Sequence, residues 1–118
     1  MADDLLKPVV WVGSSRRDIA EMPKFVRGSF GVRLQELQRG KTAPDTKPLP
    51  QFGSGVFEMR ERFDGNAYRM MYVLKLKKAV YVLHVFMKKS KSGIALPALD
   101  AALIARRLKV ALAMDKED

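Results

Sequence analysis

Basic and aromatic side chains alternate with apolar ones along the second half of the chain. In the run "VYVLHVFMKKS" the sole histidine of the sequence, His84, is followed by Phe86 and then by lysines. The upstream runs "VFEMRERF" and "AYRMMYVLKL" carry Arg60, Arg62 and Arg69 in the same alternating manner. Because successive side chains of a strand point to opposite faces, this spacing predicts one sheet face that binds an anion such as a phosphate group.

Three apolar alternating runs hold these residues, and "DGN" and "KK" separate them. The pattern predicts three strands joined by tight turns, an antiparallel meander. Turns at Gly65-Asn66 and Lys77-Lys78 would place Arg62 opposite Arg69 and Arg69 opposite Phe86. The predicted anion face carries Arg60, Arg62, Arg69, His84, Phe86 and Lys88, with Glu58 at its edge. The other face is predicted to be the core under the helices, with Phe57, Met59, Phe63, Tyr68, Met70, Tyr72, Leu74, Leu76, Tyr81, Leu83, Val85 and Met87.

The arginine pair of this face has two interpretations. Like charges directly opposite in a sheet destabilise it by roughly some tenths of a kcal/mol, so Arg62 facing Arg69 needs a nearby anion. Glu58 or Glu61 would supply that anion from within the chain. A phosphate group would supply it from outside.

The two ring side chains of the face are open to two interpretations as well. His84 is either a packed, hydrogen-bonded strand residue or a group that transfers protons, since histidine is the side chain that most readily does so near neutral pH. Phe86 either packs against its neighbours or forms a platform on which an RNA base stacks. The sequence therefore predicts an anion site and leaves the role of each ring open.

The charge of the chain favours a polyanionic partner. It contains 22 Lys+Arg against 13 Asp+Glu, a net charge of +9, with a sequence pI near 10.0. No acidic residue stands between Asp64 and Asp100. That segment carries Arg69, Lys75, Lys77, Lys78, Lys88, Lys89 and Lys91. Clustering of this kind predicts a defined anion site rather than a uniformly basic surface.

The composition excludes several kinds of site. The absence of cysteine excludes disulfides, cysteine-ligated zinc and a thiol nucleophile, and a single histidine argues against a histidine-based metal site. No run of 18 apolar residues is present, so no membrane span is expected. The opening "MADDLLKPVVWVG" is acidic where a secretory signal is basic. We therefore expect a cytoplasmic protein, which at 118 residues forms a single domain over 1–118.

The first half of the chain supplies elements that position this face. "PVVWV" (Pro8 to Val12) predicts a short strand, and "GSS" offers Ser14 or Ser15 as the cap of a short helix. A second helix is predicted from Pro23 to a stop at Gly40. Its apolar residues recur at helical spacing: Val26, Phe30, Leu34 and Leu37.

The remaining segments complete the predicted fold. The proline-rich stretch 40–55 is predicted to be a loop, and Pro97 opens a last helix with Asp100 in its first turn. The apolar stripe of this helix is Ile104, Leu108, Ala111 and Leu112. The fold class is therefore predicted to be α+β, with an antiparallel sheet of the N-terminal strand and the meander, packed by two N-terminal helices and a C-terminal helix.

In this order the pieces "EMRE", "YRMMY" and "VLHVFMKKS" resemble the phage-derived HigB-like branch of the RelE/ParE toxin superfamily. The similarity extends from "PVVWVGSSRR" through "KPLPQFGSGVFEMRE" to "IARRLK", nearly the whole chain. It implies a RelE-like fold and a toxin of a type II toxin-antitoxin module. Many members cut messenger RNA in the ribosomal decoding site, whereas the ParE relatives inhibit DNA gyrase. A basic RNA-binding domain without activity is the third function considered.

The resemblance also implies roles for individual residues. In the RNA-cutting members, basic side chains of the meander stabilise the transition state as the ribose 2′-hydroxyl attacks the neighbouring phosphate. Arg69 and Arg60 match phosphate-contacting positions, and Lys88 falls near the basic residue at the end of the last strand. His84 matches the histidine common in this branch, so these four are the expected catalytic residues. The expected RNA contacts are Arg62, Phe86, Lys89 and Lys91.

Two departures from the family pattern leave the general base open. Glu58 stands where some RelE-type members have a lysine, and no tyrosine lies near the C-terminus. Self-cleavage of RNA needs only a proton acceptor, a proton donor and cations, so neither a cofactor nor a metal is expected. The implied partners are the ribosome with its mRNA, and a cognate helix-turn-helix antitoxin with an acidic segment. That antitoxin would cover the basic face or bind the outer helices.

Overall fold

The structure, a computed structural model, describes residues 6–88 and 96–117. Its helices and strands follow in chain order as β1 (Val9–Trp11), α1 (Ser15–Ala20), α2 (Lys24–Gln38), β2 (Thr46–Pro48), β3 (Val56–Phe63), β4 (Asn66–Val73), β5 (Val80–Lys88) and α3 (Ala98–Lys116). A short 3-10 helix, Pro50–Phe52, links β2 to β3. The five strands form one sheet in the order β1-β5-β4-β3-β2. The predicted α+β class is therefore confirmed.

The sheet is mixed rather than antiparallel. β3, β4 and β5 form the predicted meander, and β2 extends it. β1 runs parallel to β5, with Val9 opposite Val80, which corrects the predicted antiparallel N-terminal strand. Parallel neighbours need a long crossover connection, and the chain from α1 to β4 provides it. β2 lies inside the segment predicted to be a loop, and its Pro48 is tolerated because an edge strand needs no donor on its outer side.

The first hairpin turns one residue earlier than predicted. Asp64 and Gly65 have positive φ angles of 53° and 79°, as a two-residue turn that matches the strand twist requires, and Asp-Gly is a favoured pair for it. Arg60 therefore lies opposite Arg69, which corrects the predicted pairing of Arg62 with Arg69. Because the register changes by two residues, all three arginines keep the face predicted for them.

A bulge in β5 divides the predicted core face. The predicted register holds up to Met71, but Tyr72 pairs with Val82 and leaves Leu83 as an extra residue of β5. An extra residue reverses the alternation of the side chains beyond it. Tyr81 and Leu83 therefore pack on the α3 side of the sheet, which corrects their assignment to the face under α2.

Helices cover both faces of the sheet, not one. The face under α2 has a core of Val26, Phe30, Leu34, Leu37, Ala43, Met59, Tyr68, Met70, Tyr72, Val80, Val82 and Val85. The α3 face has a core of Val12, Leu49, Val56, Met71, Val73, Ala79, Tyr81, Leu83, Ile104 and Ala111. Three residues predicted to be buried, Phe63, Met87 and Leu112, are instead nearly 40% exposed, because they lie at strand ends or beside the buried stripe of α3. No helix within residues 6–88 and 96–117 is long and apolar enough to cross a membrane.

Arg107 ties α3 to the bulge of β5. Its guanidinium donates hydrogen bonds to the carbonyl oxygen of Leu83 (3.0 Å) and to the hydroxyl oxygen of Ser14 (3.0 Å). Burial lowers the pKa of Arg107 from its ordinary value. Gly13 makes room for this side chain, since a Cβ at that position would lie 2.5 Å from Nε of Arg107. The middle of α3 is thereby fixed against the strand that carries His84.

Asp115 fixes the end of α3 to the connection between β4 and β5. That connection is residues 74–79, not a two-residue turn at Lys77-Lys78. The Asp115 carboxylate accepts hydrogen bonds from the amides of Lys77 (2.9 Å) and Lys78 (2.8 Å) and from the hydroxyl of Tyr81 (3.0 Å). Burial acts to raise the pKa of Asp115, but these hydrogen bonds and the Lys78 charge outweigh it and lower the pKa.

We expect Asp115→Asn to lower the melting temperature at neutral pH. A depressed carboxyl pKa stabilises the fold above the pKa of the unfolded chain, near 4, and this contribution disappears as the pH falls through the lower folded value. The melting temperatures of the wild type and the variant should therefore differ at pH 7, and the difference should shrink as the pH falls below about 4. Thermal unfolding followed by circular dichroism over this range checks it. Equal melting temperatures at pH 7 would contradict the expectation.

Candidate functional site

Glu58, on β3, is the centre of a cluster of cations. Its side chain is fully buried and accepts a hydrogen bond from Nε of Arg69 on β4. Nε of Arg60 lies 3.5 Å from Oε1 of Glu58, and Nζ of Lys47 on β2 lies 3.8 Å from the same oxygen. The sheet sets this arrangement, because Lys47 is directly opposite Glu58 and Arg60 is two residues along the same face.

Burial of the Glu58 carboxylate depends on these cations. An unpaired buried carboxylate costs roughly several kcal/mol, so Glu58 and Arg69, which is 3% exposed, form one mutually dependent pair. Within residues 6–88 and 96–117, no donor makes a hydrogen bond to Oε1 of Glu58. That oxygen holds Arg60 and Lys47 through charge alone. Of the two sources of a compensating anion, the internal one is therefore present in Glu58.

An open groove of about 450 Å³ lies over this cluster. Its lining consists of Asp45, Thr46, Lys47, Glu58, Arg60, Glu61 and Arg62. The side chains of Lys47 and Arg60 are 45% and 37% exposed. Glu61 is held by Arg33, whose Nη2 lies 3.3 Å from Oε1 of Glu61. The groove thus presents three cations, Lys47, Arg60 and Arg62, to an anion in solvent.

His84, on β5, is held by a carboxylate from α3. Nε2 of His84 lies 2.7 Å from Oδ1 of Asp100, which stands in the first turn of α3. The imidazole stacks on Phe86 with ring centroids 4.9 Å apart and planes 16° apart. Cζ of Arg69 lies 5.7 Å from the centroid of the Phe86 ring. A continuous series of contacts thus joins Asp100 to the Arg69–Glu58 pair.

This geometry gives His84 the features of a proton-transfer group. A carboxylate on one ring nitrogen fixes the orientation of an imidazole. The other nitrogen, Nδ1, is buried and has no hydrogen-bond partner within residues 6–88 and 96–117. A buried polar atom without a partner is costly and rare in folded proteins. Nδ1 therefore keeps its hydrogen-bonding capacity unused, although it lies beneath the surface of the structure.

A second recess next to His84 is less suited to an anion. It has a volume of about 560 Å³ and is lined by Asp18, Glu21, Met22, Pro23, Tyr68, His84, Val85, Phe86 and Met87. The carboxylates of Asp18 and Glu21 would repel a phosphate group. The groove over β3 also contains carboxylates, those of Asp45, Glu58 and Glu61, but three cations, Lys47, Arg60 and Arg62, line it as well. Among the described residues, the lining of the recess has no lysine or arginine, so the balance of charge favours the groove as the anion site.

Most of the predicted site residues lie in adjacent cross-strand rows. In one row Arg60 is opposite Arg69 and Arg69 is opposite Phe86. In the next row Arg62 is opposite Ala67, and Ala67 is opposite Lys88. His84 lies in the row on the other side, opposite Met71, which is opposite Glu58. Lys89 and Lys91 lie outside the described residues.

Two residues of the site were missed by sequence reasoning. Lys47 lies in the segment predicted to be a loop, and only the alternation in "TKPLP" indicated an edge strand there. Asp100 was expected only as a first-turn acid of α3, yet it binds His84 sixteen positions earlier in the chain. Contacts over such separations depend on the packing of α3 on the sheet.

The family model described as "Phage derived protein Gp49-like (DUF891)" matches residues 17–109. No curated protein matches the sequence. The structure is similar to a chain of the crystal structure titled as the toxin-antitoxin complex RelBE2 from Mycobacterium tuberculosis, with a TM-score of 0.47 and 24% identity over 73% of this chain and 95% of that chain. Since the family model spans most of the sequence, the chain belongs to the phage-derived Gp49-like family, which is a family of RelE-like toxins.

Proposed function

We propose that this toxin is an endoribonuclease that cleaves messenger RNA on the ribosome. The observation that carries the proposal is the position of His84, held by Asp100 at 2.7 Å, beside the cationic rows of β3, β4 and β5. RNA cleavage by its own 2′-hydroxyl requires a proton acceptor, a proton donor for the leaving oxygen and positive charge around the phosphorane. On this face His84 is the proposed proton acceptor, and the arginines and lysines are the proposed source of positive charge.

In the proposed reaction His84 accepts the proton of the ribose 2′-hydroxyl. The 2′-oxygen then attacks the adjacent phosphorus, and the bond from phosphorus to the 5′-oxygen of the next nucleotide breaks. The 5′-oxygen leaves with a proton from a protein donor or water, so the products carry a cyclic phosphate and a 5′-hydroxyl. Asp100 keeps the imidazole oriented while it bears the additional proton.

The cations of the face would bind the RNA backbone. Arg60 is assigned to the reacting phosphate because its side chain is exposed to the groove and its charge is only partly neutralised by Glu58. Lys88 and Arg62 flank Ala67, which places their Cα atoms roughly 10 Å apart, twice the strand spacing. A small residue between two cations leaves room for a phosphate. Lys89 and Lys91 are proposed to extend this contact along the strand of RNA.

Arg69 and Phe86 occupy the centre of the proposed site. Arg69, expected from the sequence to be catalytic, is 3% exposed and paired with Glu58, so we assign it the role of positioning Glu58 and the ring of Phe86. Phe86 is half-buried and its ring contacts His84 and Arg69; the part of the ring that remains exposed is the proposed contact for a base of the message. We propose that the ribosome presents the message to this face in the cytoplasm. A cognate antitoxin with a helix-turn-helix domain and an acidic segment is the proposed second partner.

Induction of the gene followed by mapping of transcript 5′ ends tests this function. We expect new 5′ ends inside translated messages within minutes of induction, and their loss when translation is blocked or when His84→Gln is induced instead. DNA double-strand breaks with an SOS response and intact messages would indicate gyrase inhibition instead. Unchanged growth with intact messages, at the same level of the protein, would contradict both the nuclease and the gyrase inhibitor. The remaining alternative would then be a basic RNA-binding domain without activity.

A further inference from the structure

One flank of α3 carries apolar residues that are exposed to solvent. The inward side is buried through Ile104 and Ala111. On the flank about 80° to 140° around the axis from Ile104, Leu99 is 87% exposed, Val110 is 46% exposed and Met114 is 38% exposed. Leu103 continues the same line and is half-buried. These four residues form the outer stripe of α3.

The spacing of the outer stripe is that of a helix-pairing seam. The residues of the outer stripe, Leu99, Leu103, Val110 and Met114, are separated by four, seven and four residues. Arg106 divides the interval of seven into three and four, and intervals of three and four are those of the contact positions in paired helices. From Leu99 to Met114 the stripe spans about 22 Å, or roughly four turns. A second helix of four turns would cover it.

The charges around the outer stripe are positive. α3 contains two acids, Asp100 and Asp115, and both point inward, one to His84 and the other to the amides of the β4–β5 connection. Arg106, Lys109 and Lys116 are exposed. Within Ala98–Lys116 the outward charges are therefore all basic, and a partner helix with acidic flanks complements them.

A second copy of this chain does not fit the outer stripe. Arg106 stands at its centre, so that two copies paired along it in parallel register would place Arg106 against its own counterpart. A symmetric antiparallel pair centred on the stripe would do the same. Like charges at the centre of a seam oppose pairing, whereas a glutamate or aspartate of a different chain would satisfy Arg106.

We propose that the outer stripe of α3 is the docking surface for an acidic amphipathic helix of the antitoxin. The inference rests on the proposed toxin-antitoxin function and selects the outer helices over the basic face as the binding surface. The partner helix buries Leu99, Leu103, Val110 and Met114 and places a carboxylate at Arg106. The partner helix would thus lie along α3, whose first turn contacts His84 through Asp100. This position is next to the proposed site but does not cover the groove over β3.

Co-expression of the full chain with the product of the adjacent open reading frame tests the surface. Leu99→Glu combined with Val110→Glu should weaken the purified complex at least a hundredfold in Kd, because it places two carboxylates in the proposed apolar contact. The fold should remain intact, because both residues are exposed. Arg106→Glu should weaken it at least tenfold. Leu112→Glu is the matched control, since Leu112 is 39% exposed on the same helix and lies about 160° around the axis from Val110. It should bind as the wild type does.

Growth assays separate this inference from the proposed function. The Leu99→Glu, Val110→Glu variant should be as toxic as the wild type alone but no longer neutralised by the co-expressed partner. Unchanged affinity of that variant, or no complex with the wild type, would overturn the docking surface even if messages are cleaved. If the partner's affinity depends on the outer stripe but the wild type cleaves no messages, the docking surface is supported and the proposed nuclease activity is contradicted. A third outcome would also overturn the proposal. If the wild type binds anionic lipid vesicles, the variant does not, and the co-expressed partner forms no complex with the wild type, the stripe binds a membrane surface instead.

Discussion

Replacement of Arg69 by alanine should lower the free energy of unfolding by about 3 to 5 kcal/mol. Glu58 is fully buried and Arg69 is 3% exposed, so that the substitution removes the hydrogen-bonded partner of a carboxylate that water does not reach. Breaking a buried ion pair by removal of one member leaves an uncompensated charge, which costs far more than the net gain from the pair itself. Arg60 and Lys47 lie too far from Glu58 to replace the lost hydrogen bond.

Urea unfolding of three variants measures this dependence. Arg69→Ala should unfold at a much lower urea concentration than the wild type. Arg69→Met combined with Glu58→Leu should recover most of the loss, because removal of both charges leaves no buried ion. Arg62→Ala is the control on the same face, since Arg62 is exposed and its loss should change stability by less than about 0.5 kcal/mol. Equal midpoints for Arg69→Ala and the wild type would show that Glu58 does not need Arg69.

This result bears on how toxicity of Arg69 variants is interpreted. The sequence analysis expects Arg69 to be a catalytic residue that contacts a phosphate. Its burial against Glu58 means that a loss of toxicity in Arg69→Ala follows from unfolding as readily as from lost catalysis. Arg60→Ala separates the two effects, because the side chain of Arg60 is 37% exposed and its ion pair with Glu58 is 3.5 Å long.

Replacement of His84 by glutamine should lower the rate of message cleavage about a hundredfold or more, which is the range of general acid-base catalysis. Asp100→Asn should lower the rate by about tenfold or more, because an amide can present a donor to Nε2 of His84 and thereby favour the wrong tautomer of the ring. Both substitutions keep the size of the side chain. We therefore expect the melting temperature of each variant to stay within a few degrees of the wild type.

Cleavage rates per folded molecule, compared among the wild type, His84→Gln and Asp100→Asn, check this pair of expectations. Asp18→Asn, in the acidic recess beside His84, serves as a control that alters a nearby carboxylate outside the His84–Asp100 pair. A strongly destabilised His84→Gln protein with near-normal cleavage per folded molecule would assign His84 to packing instead.

Local sequence patterns determined the meander, the helix ends and the membership of the basic face. Alternation depends only on the period of a strand, so Arg60, Arg62 and Arg69 were assigned to one face even though the predicted turn was one residue late. Proline before a helix and glycine after it are likewise local signals, and α2 begins just after Pro23 and ends before Gly40, whose φ is 81°. The excess of Lys and Arg over Asp and Glu follows from the sequence alone.

Tertiary structure alone decided which of those charges are buried and which groups act together. The parallel pairing of β1 and the bulge at Leu83 arise from contacts between segments far apart in the chain, and the bulge moved Tyr81 to the α3 face. Packing of α3 on the sheet brought Asp100 to His84, and the pairing of β2 and β4 with β3 surrounded Glu58 with cations. A sequence gives the type and face of a side chain, whereas its burial and its partner depend on which distant segment covers that face.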